Sequence, residues 1–406
     1  MSGNVTLDVR QEPAGEQIYI GQFESLEVAI ASARAYPACA QKTIRLGGGR
    51  YSTGQTIILD HRDSGVTIEA EASEKPVLYG GRTLTGWEKD GDRFWSAAAA
   101  GTADGAWDFR QLYVDGAARP RARLPETGTW QHSTSFDQPW LKTSGGGFQP
   151  PPSTEKRSTL IYKDGQLPVS VSLKNAEFVI LHSWDESQTR AVANDPGTRT
   201  LRLNPPCTYP PGAFDIKEYY VMNLREGMTR PGQWHLDREL GRVVYWPMPG
   251  EDPNRCTIEV PAIDTVLRIE GSKAAPAAGI TLSGLTVDLC GVRLAASGWG
   301  ASPFDGAVMV QHARQCRLDN LIVSRAGGQG IKILDADDTT VEWCDVRHTG
   351  ANGIFFQRGM RNTILNTRVQ HTGEIYSSAC GINAGFWTHS RIAHNEVSDC
   401  AYCGIT

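Results

Sequence analysis

The sequence predicts an all-β protein, a parallel β-helix with an N-terminal cap helix and an inserted antiparallel β domain. Three observations predict it. Glycine accounts for 43 of 406 residues while charged residues make up only 21%, a balance that favours many tight turns over long solvated helices. Strong helical periodicity occurs only near the start. The last third of the chain repeats at intervals of about 23 residues, the length of one coil of short strands.

The helix comes first. In QFESLEVAIASARA, residues 22–35, Phe23, Leu26, Ala29, Ile30 and Ala33 fall on one side at helical spacing. Short strands follow, KTIRL, QTIIL, GVTIEA and KPVLYGG, separated by turns rich in Gly, Asp and Ser. Residues 1–95 therefore read as the cap and first coils. From 96 to 265 the rhythm is lost, and segments such as STLIYKD, AEFVILHSW, YYVMNL and CTIEV resemble strands of an antiparallel domain. Its proline-rich connections, FQPPPST and PPCTYPPG, cannot be central strands. LDRELGRVVYWP reads as a hairpin turning at Gly241, with Trp234, Tyr245 and Trp246 expected on a common surface.

Residues 266–406 carry the repeat. Gly306, Gly330, Gly353, Gly381 and Gly404 recur at separations of 24, 23, 28 and 23. A second set, Leu318, Val341, Ile364 and Ile392, is followed five positions later by Val323, Val346, Val369 and Val397. The period is too short for a strand-helix-strand crossover of about 30 residues, and the leucine-rich LxxLxLxxN string does not recur. A β-helix fits, because each coil exposes an apolar face until the next covers it. Aligning the coils places HTG at 348–350 over HTG at 371–373, so His348 and His371 are expected on neighbouring rungs about 4.8 Å apart, at a stacked turn position. The second copy carries five extra residues, EIYSS, before its glycine. Such an insertion belongs in a loop beside one face, where binding surfaces form.

Composition narrows the function classes. A formal net charge of −5 without a basic block excludes a phosphate-tracking nucleic-acid binder. No run is long enough to cross a bilayer and MSGNVTLDVR has no signal-peptide pattern, which predicts a soluble chain, cytoplasmic unless a leader has been removed. Nine cysteines, an odd number, include the CAYC pair Cys400 and Cys403. With no second CxxC or close His to complete a zinc site, buried free thiols are the default. No cofactor is expected. Calcium is raised only by Asp335, Asp337 and Asp338 in ILDADDTTV, where Asx turns account for at least two of the three.

The order of landmarks carries a resemblance. A cap helix, LGGGRYSTGQTIIL, a DSG turn at Asp63-Ser64-Gly65, KPVLYGGRTLTGW, RQLYVDGAARPRARLP, PGQWHLDRELGRVVYWP and coils with turns such as AHNEVSDC follow one another along nearly the whole chain. Together they resemble the right-handed parallel β-helix glycoside hydrolases of families 141 and 120, which carry a β-rich domain inserted after the first coils. In such proteins a later coil carries an acidic residue in a D-x-G-x-x-Y setting. No segment of 279–406 matches it, which suggests a C-terminally truncated member, or a second chain, a copy of this one or a capping arrangement covering the open last coil, or a relative that has lost the activity.

The resemblance implies an oligo- or polysaccharide substrate from plants or bacteria, such as xylan, pectin or a fucosylated glycan. Hydrolysis calls for two carboxyl groups. Glu374, in the surplus loop, is the candidate general acid/base, and Asp335, directly after a strand, the second catalytic candidate. His371, Tyr376, Trp387 and His389 in the coils, with His182, Trp184 and Trp234 in the inserted domain, are candidate sugar contacts. Two other classes stay open. A lyase or epimerase on the same scaffold needs a cation beside a base, with Arg325, Lys332 and Arg358 as its main candidates, and a non-catalytic carbohydrate-binding or structural β-helix needs neither.

Overall fold

The structure, a computed structural model, describes residues 5–10, 19–37, 40–141 and 146–406. Two compact units emerge, Met1–Gly81 with Pro261–Val292 and Phe304–Thr406, and Arg82–Val260 with Arg293–Pro303.

The first unit is a three-sided parallel β-helix. Each coil adds one short strand to each of three sheets. In one coil these are Arg317–Asp319 in sheet I, Ile322–Ala326 in sheet II and Gln329–Leu334 in sheet III. Leu318 pairs in register with Val341, that with Ile364, and that with Ile392, as the sequence spacing predicts. Val323, Val346, Val369 and Val397 form the matching ladder in sheet II. Most of these side chains are fully buried. Burying one aliphatic side chain contributes about 1.5–3 kcal/mol, against roughly 1–2 kcal/mol to fix each residue's backbone, so a single coil is stable only when its neighbours cover it.

One register differs from expectation. Gly306 pairs with Gln329 and Val308 with Ile331, which places Ala307, not Gly306, beside Gly330. The later glycines are sterically required. A Cβ on Gly330, Gly353 or Gly381 would lie 2.4, 2.2 or 2.4 Å from a valine Cγ1 of the next coil.

The predicted helix is shorter than its apolar periodicity, spanning Leu26–Ala33. Ser25 stops it at the N-terminal side by accepting a hydrogen bond from Val28 N, and Phe23 instead ends the strand Tyr19–Phe23. That strand and Val5–Arg10 run antiparallel at the first edge of sheet I. Arg34, which closes the helix, is tied to the first coil by a two-pronged bond to the buried Asp63 at 2.8 and 2.6 Å.

The second unit is antiparallel. Its largest sheet has seven strands, including Glu177–Leu181 and Glu186–Asp195. The predicted hairpin is present, Trp234–Asp237 against Arg242–Tyr245 with Gly241 in the turn at φ +64°. Its aromatics do not share a surface. Trp234 and Tyr245 are buried in one core with Phe109 and Trp87, whereas Trp246 packs on Phe94 in another cluster, because consecutive strand residues face opposite ways.

Charge is also buried in this unit. Glu177, fully enclosed, is bonded by Arg110 at 3.2 Å, by Arg121 at 2.8 Å and by Arg238, while Asp108 bridges Arg110, Arg190 and Arg238 at 2.7–2.8 Å. Burial alone would raise the Glu177 pKa, but the surrounding guanidinium groups outweigh it and hold the carboxyl well below its ordinary range.

Candidate active site at one corner of the coil

Three insertions into the β-helix share one location. The chain departs after the sheet II strand Pro76–Tyr79 and re-enters sheet III at Leu267–Glu270. A second excursion separates Thr286–Cys290 from Gly306–Gln311, and the EIYSS loop separates Arg368–Thr372 from Ile382–Thr388. All three interrupt the turn from sheet II to sheet III. The sheet I to sheet II corner keeps short turns and the sheet III to sheet I corner has one longer connection, residues 271–280. The two longest excursions fall at the sheet II to sheet III corner, where the solenoid displays irregular, chemically varied chain.

Here, as at the other two corners, the coils turn through residues of left-handed backbone. Leu289, Arg325, His348, His371 and Asp399 all adopt left-handed φ of 51–56°, and each is skipped by the sheet II ladder, as between Ser324↔Arg347 and Ala326↔Thr349. Such a conformation costs a residue with a Cβ roughly 1–2 kcal/mol. Its repetition stacks these side chains along the corner.

His348 and His371 therefore meet as expected, with ring centroids 4.8 Å apart and planes 7° from parallel. The loop then folds back on the preceding coil. Glu374 N donates to Thr349 O at 3.0 Å and Tyr376 N to Gly350 O at 2.8 Å. This fixes the Glu374 backbone and brings its Oε1 to 2.7 Å from His348 Nδ1. With Glu374 ionised, Nδ1–H donates, which leaves Nε2 of the neutral ring able to accept. Both side chains remain accessible, at 37% and 44% exposure.

Tyr376 has no exposed surface. Its ring stacks on Phe304 at 3.8 Å, so it anchors the loop between the second and third excursions rather than presenting a face to a sugar. Nearby, Asp288 is engaged by the Arg325 fork and by Ser324 Oγ at 2.8 Å. Asp305, at the same corner, is 43% exposed and pairs with Arg268 at 3.1 Å.

Asp335 lies elsewhere. It follows the sheet III strand Gln329–Leu334, and five residue steps of about 3.3 Å put it roughly 16 Å along the coil from the Glu374 corner. That is too far for a pair of hydrolytic carboxyls. Arg358 of the next coil grips it at 2.7 and 2.8 Å, and Arg361 grips Asp338 in the same way at 2.6 and 2.8 Å. The Arg358 bonds hold the Asp335 pKa below its ordinary value. Asp337 accepts from Met360 N. The cluster in ILDADDTTV is thus a cross-coil ladder of forks, and among the described residues no group of three or more His, Cys, Asp or Glu is placed to hold a metal ion.

The remaining candidates divide. Trp387 stacks on Phe356 at 5.1 Å and packs on the helix core. His389 is exposed at the sheet III to sheet I corner, in the left-handed position that Arg361 occupies one coil earlier. In the second unit Trp234 is wholly buried, and His182 is buried beside the half-exposed Trp184. The cations a uronate site would need are engaged: Arg325 by Asp288, Arg358 by Asp335, and Lys332 as a donor to Phe304 O at 2.7 Å. Asp305 and Arg268 went unselected in the sequence because their pairing spans 37 positions. Their signal was the position of Asp305 immediately before the Gly306 strand.

Known proteins bear on this fold. Residues 306–406 match the family model described as a right-handed β-helix region. A solved structure named "Glycoside hydrolase" superposes with a TM-score of 0.75 at 21% identity, covering 94% of this chain and 75% of that one. Another, "The complex structure of XylC with xylose", gives a TM-score of 0.46 at 12% identity over 88% of this chain and 53% of that one. A sequence search of curated proteins finds no significant match. No helix among the described residues is long and apolar enough to cross a membrane. The architecture is that of a right-handed parallel β-helix, similar in fold to that solved glycoside hydrolase.

Proposed function

We propose that this protein is a glycosidase acting on a plant or bacterial polysaccharide, with Glu374 as general acid/base at the sheet II to sheet III corner. The observation that carries the reading is the loop pinned across two coils so that an accessible carboxyl meets His348. The likeness to a solved glycoside hydrolase supports the reaction class, and the landmark order supports a place near families 141 and 120.

Asp305 is the partner carboxyl in this proposal. It lies two coils from the His348 rung, about 10 Å between backbones. Its carboxyl leans the other way, onto Arg268 of the preceding coil, and has to swing back toward Glu374 to reach the separation of about 6.5–9.5 Å used in inversion. Glu374 enters the step protonated on its other oxygen and gives that proton to the leaving oxygen, while ionised Asp305 takes a proton from the water attacking the opposite face of the ring. The Glu374 carboxylate left behind is the state to which His348 Nδ1–H donates. The engaged state of Arg325, Lys332 and Arg358 weighs against elimination from a uronate.

The test is release of reducing ends from xylan, pectin and fucosylated oligosaccharides by the intact chain. Glu374→Gln and Asp305→Asn should each lower kcat by about 10²–10⁴-fold, the usual contribution of a positioned acid or base. Hydrolysis undiminished in Glu374→Gln would overturn the assignment, and sugar binding without turnover of any of these substrates would favour the non-catalytic reading.

A further inference from the structure

The second unit contains an aromatic nest that the corner chemistry does not use. Trp140 is its hub, with ring centroids 5.0 Å from Phe148, 5.6 Å from Phe214, 5.7 Å from Trp184 and 5.8 Å from Tyr209. Phe148 and Tyr209 come from the two proline-rich connections. Unlike Trp234, the hub, Trp184, Tyr209 and Phe214 are not sealed in and keep part of their surface exposed.

Backbone strain holds the nest in place. Phe214 and Asp215 sit at φ +62° and +59°, a conformation rare for a bulky residue and one that accumulates at ligand sites. A Cβ on Gly146 would lie 2.6 Å from the Trp140 ring, so only glycine lets the chain pass that close. Between these segments opens a cavity of about 390 Å³, within the range of roughly 300–1,000 Å³ typical of small-molecule sites. Its apolar wall is Trp140, Phe148 and Phe214, and its polar rim is Asp137, Gln138, Asp215 and Lys217.

Unsatisfied polar atoms lie close by. His182 packs edge-on to Tyr209 at 5.5 Å, and neither its Nδ1 nor either carboxyl oxygen of the buried Asp185 has a hydrogen-bond partner. Burial, with a smaller effect from Glu186, lifts the Asp185 pKa to about 7.

We infer that the Trp140 cavity is a carbohydrate-binding site for a neutral pyranose ring, the ring's C–H face lying against the aromatic wall and its hydroxyls bonding to the rim. The charge of the rim selects neutral over acidic sugars. Lys217 is paired with Asp215 at 2.9 Å and also attracts Asp137, so the rim carries two carboxylates to one ammonium and repels a uronate. The inference rests on the carbohydrate reading above for its ligand class, but not on any catalytic residue.

The experiment titrates the full chain carrying Glu374→Gln, so that turnover does not intervene, with xylohexaose, cellohexaose and hexagalacturonate, following tryptophan emission and calorimetric heat. Saturable binding of a neutral hexasaccharide, at least tenfold tighter than hexagalacturonate, is expected. Trp140→Ala should abolish it. Because Trp140 is central to the nest, Asp137→Ala on the exposed rim is the second variant, expected to weaken neutral-sugar binding three- to tenfold while its melting temperature stays that of the parent. Absence of saturable binding by all three sugars, preference for hexagalacturonate, or unchanged affinity in both variants would overturn the inference. Loss of hydrolysis in Glu374→Gln together with unchanged affinity in the nest variants would sink this site and leave the corner assignment standing, whereas nest-dependent binding in a chain that hydrolyses nothing would do the reverse.

Discussion

His348 Nδ1 lies 2.7 Å from Glu374 Oε1, and the same imidazole is stacked on His371 with centroids 4.8 Å apart. The two histidines share a sequence context and a backbone conformation, yet only one touches the carboxyl. The loop folds back by one coil, so Glu374 meets the histidine before it rather than the one beside it in sequence. His348 is thus a positioning residue for Glu374, and a hydrogen bond to a charged group contributes about 1.5–3 kcal/mol. His348→Asn, which tolerates left-handed φ, should lower kcat roughly ten- to a hundredfold with little change in KM. His371→Asn should leave kcat within about threefold. Steady-state kinetics of both variants check the asymmetry, and equal losses would show that stacking, not the hydrogen bond, matters.

Asp335→Asn should leave hydrolysis within twofold of the parent. The fork to Arg358 is half exposed on the arginine side, and such surface pairs contribute about 0–1 kcal/mol. A urea titration should show a loss no larger than that. Loss of activity with unchanged stability would return Asp335 to the catalytic site.

Ile354→Ala removes a fully buried side chain that pairs with Ile331 and Ile382 in the sheet III ladder. The cost should be about 2–5 kcal/mol, measured as a lowered urea midpoint.

Glu177→Gln leaves four arginines facing one fewer negative charge in a buried site. Breaking such a network costs about 3–5 kcal/mol. The folded-state pKa of Glu177 is depressed, so its contribution is present above the ordinary glutamate value of about 4.3 and is lost as pH falls through the folded value. The gap between variant and parent, followed by thermal melts, should accordingly narrow below pH 4.

Asp185 and His235 titrate in opposite senses. Burial raises Asp185 to about 7, so the stability it lends is full below about pH 4, the unfolded value, and is lost as pH rises to 7. Burial lowers His235 to about 4, so its stability is present above about pH 6.5 and is lost as pH falls to 4. Asp185→Asn should therefore raise the melting temperature at pH 8 relative to the parent, and His235→Gln should flatten the acid limb. Melts across pH 4–8 separate the two.

Much of the coil was legible. Leu318, Val341, Ile364 and Ile392 announce their rungs because a solenoid repeats the same burial at the same interval, and HTG recurs because a stacked turn recurs. The register of Gly306 was not, since a one-residue slip leaves the pattern of small residues almost unchanged and only the ladder of hydrogen bonds resolves it. Trp246 was assigned to the wrong face of its hairpin because aromatic content alone does not state which way a strand side chain points.

Local order in the chain determined the coils, the cap helix, the hairpin turn at Gly241 and the surplus loop around Glu374, since each depends on interactions within a few residues or one repeat. Tertiary structure alone decided which carboxyl meets which partner: Glu374 with His348 rather than His371, Asp335 with Arg358, Asp305 with Arg268, and Glu177 with arginines drawn from positions 110 to 238. Ion pairs act over a few ångströms of space, and the fold brings those ångströms together from residues far apart in the sequence.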